Sequence, residues 1–278
     1  MNLILIPVYN DWKSLNKLLL AINKIFNNKV LTKVLIVNDN SSIKISINSN
    51  KLKKIKTIEV LNLEKNVGSQ KAIAIGLNYL SKKKHNCDFI TVMDGDGEDD
   101  PRQISKMILT ANKNRNSIIV SCRKKRKENF LIRFFYKIHL LITFLVTGNW
   151  MSFGNFSCFF SNNIVKILSD NSVWYAYSAA IKKNSKITRL YAARKKRYYD
   201  KTKINFLFLV FHSLRIIGVF YKRVIFFTFV CLLIINFLFN KYLVFLNLVI
   251  FLFLVLILMV MIFSKKEKSY KFSVKKIK

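Results

Sequence analysis

The sequence predicts an α/β fold: a mostly parallel sheet with helices on both faces, followed by an amphipathic helix and a C-terminal two-helix transmembrane hairpin. Three observations lead there. Over residues 1–122, short apolar runs of strand length alternate with longer stretches of helical periodicity, the pattern of βαβ units. The run Phe89-Ile90-Thr91-Val92-Met93 leads directly into a dense acidic loop, as when a buried strand presents ligands at the carboxyl edge of an open sheet. Between Asp200 and Glu267 no acidic residue occurs, and two long uncharged runs fill most of that interval.

In chain order, the first strand is expected at residues 3–6; the opening Met1-Asn2-Leu3 has no basic region, and Pro7 and Asp11 interrupt it, which excludes a signal peptide. A helix follows over 14–26, with Leu15, Leu18, Leu19, Ile22 and Ile25 at helical spacing and Ser14 as its N-cap. Strands at 34–37 and 57–61 precede a second helix over 69–80. The strand at 89–93 precedes a helix opened by Pro101, where a missing N–H does no harm, and a fifth strand is expected at 118–121. The helix at 130–146 mixes Arg133, Lys137 and His139 with large apolar residues, and suits either a membrane interface or the sheet surface.

The rest divides by composition. A catalytic domain is expected over 1–205, an interfacial amphipathic helix over 206–223 carrying His212 and Arg215, two transmembrane helices over 224–263, and a basic tail over 264–278. The first apolar run has 16 uncharged residues and the second 22, broken only by Asn240-Lys241. A spanning helix needs roughly 20, so the second run is long enough and the first is short. Lys222-Arg223 before the pair, and Lys265, Lys266, Lys268, Lys271, Lys275, Lys276 and Lys278 after it, place both flanks in the cytoplasm by the positive-inside rule.

The net charge of +34 reads equally as compositional drift; where it sits beside the apolar runs it would attract anionic headgroups, and no nucleic-acid recognition motif is present. Cys87, Cys122, Cys158 and Cys231 lack paired spacing, which excludes a zinc site or a disulfide framework. Against this basic background, residues 94–100 hold five of the fourteen acidic side chains. Carboxylates so crowded repel one another and call for a cation; Asp94, Asp96 and Glu98 share one face of an extended segment and form the expected ligand set for Mg²⁺ or Mn²⁺. An EF-hand is excluded, because Asp99 stands where that loop needs Gly and Ser105 where it needs a bidentate Glu.

Four segments carry a resemblance: Ile6-Pro7-Val8-Tyr9-Asn10-Asp11, Val37-Asn38-Asp39-Asn40-Ser41-Ser42, the stretch from Asn66-Val67-Gly68 to Gly76, and the acidic loop with Pro101. In this order and spacing they resemble family 2 glycosyltransferases, and more closely the branch related to dolichyl-phosphate mannosyltransferase and bacterial polyprenyl-phosphate sugar transferases. The resemblance covers about residues 1–223. It implies a Rossmann-like GT-A fold, a nucleotide-sugar donor, inversion at the anomeric carbon, and a multi-pass protein of the bacterial inner membrane with its catalytic domain in the cytoplasm.

Carried over by motif, Pro7, Tyr9 and Asp11 flank the nucleotide, Asp39 meets its base, Asn66 and Gly68 border the donor, and Asp94 and Asp96 meet the metal and diphosphate, with Asp96 catalytic. Glu98 stands where relatives usually have Gln. Taken on their own, Asp39 reads equally as a turn residue, Asp11 as a helix-capping acid, and Gly68 and Gly76 as packing glycines.

A lipid phosphate acceptor is already anionic and needs cationic positioning, whereas a hydroxyl acceptor needs a base, for which Asp100 is the candidate. Arg123, Arg126, Arg194, Arg197 and Lys203 are the expected acceptor-phosphate residues, with Arg favoured for its forked donors. Near Gly154-Asn155-Phe156 many relatives carry an acidic residue and an Arg; Asn155 stands here without the Arg. The expected reaction is sugar transfer to polyprenyl phosphate such as undecaprenyl phosphate. The alternatives are transfer to a saccharide or glycolipid hydroxyl, and a catalytically lapsed cationic membrane protein. Self-association into a homo-oligomer is left open by the sequence.

Overall fold

The structure, a computed structural model, describes residues 1–26, 31–83, 86–123, 130–193, 195–199, 206–238, 243–263 and 270–278. It divides into two compact units: Met1–Arg126 with Phe153–Thr202 and Glu267–Lys278, and Lys127–Ser152 with Lys203–Lys266.

The first unit is built on eight strands: β1 (Asn2–Val8), β2 (Thr32–Asn38), β3 (Ile55–Leu63), β4 (Phe89–Val92), β5 (Ser117–Arg123), β6 (Phe153–Phe160), β7 (Lys186–Ala192) and β8 (Phe272–Lys276). They form one sheet in the order β7-β5-β6-β4-β1-β2-β3-β8. All five expected strands are present. The sheet is mixed rather than mostly parallel along its whole width, because β6 runs antiparallel between β4 and β5, and β8 runs antiparallel beside β3.

β1 is buried throughout because both its faces are covered. The helix α1 (Trp12–Ile25) buries Trp12, Leu15, Leu18, Leu19 and Ile22 as one stripe. Its cap is Asp11 rather than Ser14: Asp11 Oδ1 accepts from the Ser14 amide at 3.2 Å, and Ser14 lies one turn inside, buried. In α2 (Ser69–Lys82) a Cβ on Gly76 would come within 2.6 Å of Leu5 and 2.9 Å of Val37, so glycine there lets the helix lie close on β1 and β2. The helices α3 (Gln103–Lys113), α5 (Asn163–Leu168) and α6 (Tyr177–Asn184) complete this unit.

The tail expected over 264–278 is no loose appendage in its described part. β8 pairs with β3 from Glu59↔Lys276 to Leu63↔Phe272. Beyond the ladder the Ile277 amide donates to Ile58 O (2.9 Å) and the Ile58 amide to Lys278 O (3.0 Å). Tyr270 stacks on Trp174 with centroids 5.3 Å apart, and Phe272 meets Tyr79 edge-on at 5.9 Å.

The second unit contains α4 (Phe130–Thr147), α7 (Phe206–Val219), α8 (Tyr221–Leu238) and α9 (Leu243–Phe263). The helix at 130–146, for which the sheet surface and a membrane interface are both open by sequence, packs on α7 and α8 within its own unit. Arg223 donates to Thr147 O at 3.3 Å, a cation on the carbonyl end of α4. Leu214, Ile217, Val224 and Ile257 form the apolar centre of this unit. The helices α8 and α9 fill the two apolar runs, and the break between them lies outside the described residues. Among the described residues no single helix is long and apolar enough to cross a membrane; Leu209–Val219 and Tyr221–Ile234 reach that measure together, bent by 91°. The four cysteines are free.

One fold contact predicts a pH response. Asp170 accepts from the Ser172 amide at 2.8 Å and pairs with Lys183 at 2.7 Å. Burial alone would raise its pKa, but these partners outweigh burial and pull it down to about 2. A depressed carboxylate stabilises the fold above its unfolded pKa and loses that contribution as pH falls from about 4 toward 2, here about 2 kcal/mol. Melting curves of wild type and Asp170→Asn in detergent should therefore differ at pH 6 and converge near pH 2. A gap independent of pH would rule this contribution out.

Candidate active site

The carboxyl ends of β1, β2, β3 and β4 gather the predicted donor residues at one edge. β1 has β2 on one side and β4 on the other, so the chain leaves the sheet in opposite directions there and opens a crevice. The Met93 amide donates to Leu5 O (3.1 Å) and the Asp39 amide to Val8 O (2.9 Å), tying the loops at the mouth to β1. Pro7 is buried within β1, while Tyr9 is 49% exposed just beyond it. The turn after Tyr9 is knitted to the loop after β2: the Asn10 amide donates to Ser41 Oγ (2.9 Å), and Asn10 Oδ1 accepts from the Ile43 amide (3.1 Å).

Asp39 is 3% exposed, and both its oxygens serve the loop after β3. The Val67 amide donates to Oδ1 at 2.7 Å and the Gly68 amide to Oδ2 at 2.9 Å. Burial outweighs these two donors and holds the carboxyl above its ordinary pKa. Asp39 thus shapes the turn at Asn66-Val67-Gly68; a base would use the lone pairs those bonds leave. Asn66 Oδ1 also accepts from the Gly68 amide, at 3.2 Å. Asp11, expected beside the nucleotide, is engaged as the cap of α1.

The acidic loop folds back on itself, with the Asp94 amide donating to Asp99 Oδ2 (3.2 Å) and the Glu98 amide to Asp96 Oδ1 (3.0 Å). Gly97 has φ +83°, and a Cβ there would collide with the Tyr198 ring, so the turn accepts only glycine against that aromatic. Asp94 is aimed from β6. The register Thr91↔Cys158 and Val92↔Ser157, continued two residues, sets Asn155 opposite Asp94. Asn155 Nδ2 donates to Asp94 Oδ1 (3.1 Å), Gln70 Nε2 donates to Asn155 Oδ1 (3.1 Å), and the Tyr177 amide donates to Gln70 Oε1 (2.8 Å). Sequence reasoning missed Gln70 and Asn155 as positioning residues. Both sat inside quoted motifs, but what they touch is set by pairing of distant strands.

A basic segment crosses the loop. Arg197 pairs with Asp96 at 3.0 Å, and Lys195 with Asp100 at 3.0 Å. The Lys195 amide donates to Glu98 O (2.9 Å) and the Tyr198 amide to Asp96 O (3.0 Å). Asp100, 7% exposed, is also gripped by Arg102 at 2.7 Å. Burial raises the Asp100 pKa, but Arg102 and Lys195 outweigh it and leave the carboxyl below its ordinary value. In this arrangement Asp100 is an ion-pair anchor, poorly suited to accept a proton.

Of the expected acceptor-phosphate residues, Arg197 lies at the acidic loop and Arg123 ends β5, while Arg126, Arg194 and Lys203 lie outside the described residues. Among the described residues no three His, Cys, Asp or Glu side chains converge as a ready-made metal site, so Glu98 does not join Asp94 and Asp96 as a preformed third ligand. The donor set nevertheless fits a divalent cation of the Mg²⁺ or Mn²⁺ kind, which is held by one or two carboxylates and completed by substrate phosphates and water.

The family model described as "Glycosyl transferase family 2" matches residues 3–210. No curated protein sequence matches the chain. Among solved structures it is similar to residues 1–349 of S. aureus TarS, with a TM-score of 0.50 and 16% identity over 79% of this chain; it spans 65% of that chain's length. It is also similar to glucosyl-3-phosphoglycerate synthase from Mycobacterium tuberculosis, seen with Mn²⁺, UDP and glucosyl-3-phosphoglycerate, with a TM-score of 0.52 and 10% identity over 80% of this chain and 79% of that one. A second complex of that synthase, with Mn²⁺, UDP-glucose and phosphoglyceric acid, has a TM-score of 0.54 at 9% identity, over 81% of this chain and 79% of that one. At these identities the shared property is the GT-A-like fold.

Proposed function

This chain belongs to glycosyl transferase family 2, and from that premise we propose that it transfers a sugar, with inversion, from a nucleotide-sugar to polyprenyl phosphate at the cytoplasmic face of a bacterial inner membrane. The observation that carries the donor half is the acidic loop at the carboxyl edge of β4, where Asp94 is aimed by Asn155 and Asp96 lies beside Arg197. Asp94 and Asp96 would hold Mg²⁺ or Mn²⁺, and the ion's chemistry is to neutralise charge on the departing nucleoside diphosphate. Pro7 and Tyr9 border the nucleotide, and Asp39 builds the turn beneath it. The M. tuberculosis synthase of like fold, seen with Mn²⁺ and UDP, is consistent with this donor chemistry.

Two observations support a lipid phosphate acceptor. The first is Asp100: held as a carboxylate by Arg102 and Lys195, it is a poor base for a hydroxyl acceptor, whereas a phosphate monoester attacks without one. The second is β8. It follows the apolar runs yet pairs in the sheet that begins at residue 2, which supports an even number of membrane crossings for those runs. A hairpin of α8 and α9, with basic flanks on one side, satisfies that parity and keeps the catalytic unit beside its acceptor. Transfer to a saccharide or glycolipid hydroxyl is the second reading. It gains from the Mycobacterium synthase of like fold, which is seen with phosphoglyceric acid.

A donor screen read by nucleotide release tests both halves. In detergent, release should require a divalent cation and rise sharply with undecaprenyl phosphate. Release that follows an added oligosaccharide and ignores the lipid phosphate would establish the second reading. No release and no metal-dependent nucleotide binding across the panel would leave a cationic membrane protein without catalysis.

A further inference from the structure

We propose that Arg197 is a ligand of the donor's diphosphate, held on Asp96 until a divalent cation takes that carboxylate, rather than a residue of the acceptor phosphate; this rests on the donor reading given above. Three features of its surroundings lead here. Its guanidinium approaches Asp96 through Nη2, 3.0 Å from Oδ2, and leaves Nε off the carboxylate, whereas an Arg built to stay there commonly donates side-on through Nε as well. Its Nε–H is buried and has no hydrogen-bond partner. A buried donor left unmade is costly, and an anion's oxygens would satisfy it. Asp96 Oδ1 accepts from the Glu98 amide and Oδ2 faces Arg197, so a cation binding this carboxylate meets a like charge already beside it.

The displaced guanidinium has little freedom to leave. Its backbone is fastened on both sides, by the Lys195 amide to Glu98 O and the Tyr198 amide to Asp96 O, and the Tyr198 ring sits over Gly97. Lys17 lies 4.9 Å from the centroid of that ring and holds it from the other element. Arg197 therefore gives up Asp96 by a rotation of its side chain while the main chain stays beside the acidic loop. A divalent cation held by Asp94 and Asp96 would repel the guanidinium, and the donor's diphosphate would offer it oxygens. No bond is made or broken; a cation exchanges one anion for another at the same edge of the sheet. Because the leaving diphosphate gains charge as the sugar departs, an Arg released there would assist the reaction as well as binding.

The test measures two affinities on the full-length protein in detergent: Mn²⁺ alone, from the electron paramagnetic resonance signal of the free ion, and the tightest-bound of UDP, GDP and dTDP at saturating Mn²⁺, by calorimetry. Arg197→Gln should bind Mn²⁺ alone about tenfold more tightly, its competitor gone, and the nucleotide about tenfold more weakly. Arg197→Lys should keep the competition with Mn²⁺ and recover part of the nucleotide affinity, which also controls for misfolding of the Gln variant. Undiminished nucleotide affinity in Arg197→Gln, or Mn²⁺ affinity that fails to rise, overturns the exchange while leaving the donor reading intact. A wild-type protein that binds neither Mn²⁺ nor any of the three nucleotides overturns both.

Discussion

Asp96→Asn should lower metal-dependent nucleotide release by at least about a hundredfold, the scale set when a preorganised charge-stabilising group is lost from an active site. The substitution preserves shape, and an amide oxygen can still accept from the Glu98 amide, so the turn through Gly97 keeps its anchor. What disappears is the negative charge that Asp96 offers a cation, leaving Asp94 to hold it alone. The ion pair to Arg197 is partly exposed, and such pairs are worth about 0–1 kcal/mol, so the melting temperature should shift by only a few degrees. Activity within about threefold of wild type would remove Asp96 from the donor site. A large fall in melting temperature would instead make it a structural residue.

The second large effect is on stability. Removing residues 270–278 deletes β8, its ladder to β3, and the contacts of Tyr270 with Trp174 and Phe272 with Tyr79. Ladder bonds at about 1 kcal/mol net and aromatic pairs at about 0.5–1.5 kcal/mol sum to several kcal/mol, or about 10 °C of melting temperature for a unit of this size. The truncation also uncovers β3 as an edge, whose Ile58, Val60 and Leu61 belong to a strand eager to pair with another chain. The truncated protein should therefore melt lower and elute as larger species on size exclusion. A synthetic peptide of the missing residues should reverse both changes. Unaltered melting would mean that β8 contributes nothing to the sheet.

The first five strands and the helices between them were legible because each carries its own apolar signature, and the acidic loop was legible because its charge stands against a strongly basic chain. What escaped was set by partners far away in sequence. β6 interrupts its aromatic residues with Gly154 and Asn155, and only its place between β4 and β5 makes it a central strand. β8 is short, with two lysines, and is extended because the edge of β3 supplies its bonds. At the site, the carboxylates could be named from sequence but not their companions. Which Arg meets Asp96, which Lys meets Asp100, and that Asn155 steers Asp94 all follow from loops brought together by the finished sheet. For Asp39 and Asp11 the plainer readings, a turn residue and a helix cap, describe what the side chains do in this structure.

The place of β8 has a bearing on how the protein is made. Synthesis proceeds from the N-terminus, and domains begin to fold while the ribosome is still at work. β3 emerges early, but its neighbour β8 follows α9 in the chain, after every residue of the apolar segments has been delivered. Until β8 is made, the nascent sheet therefore carries an unfinished margin at β3. Completion of the sheet at β3 thereby reports that the apolar helices have already been synthesised, an ordering written into the connectivity alone.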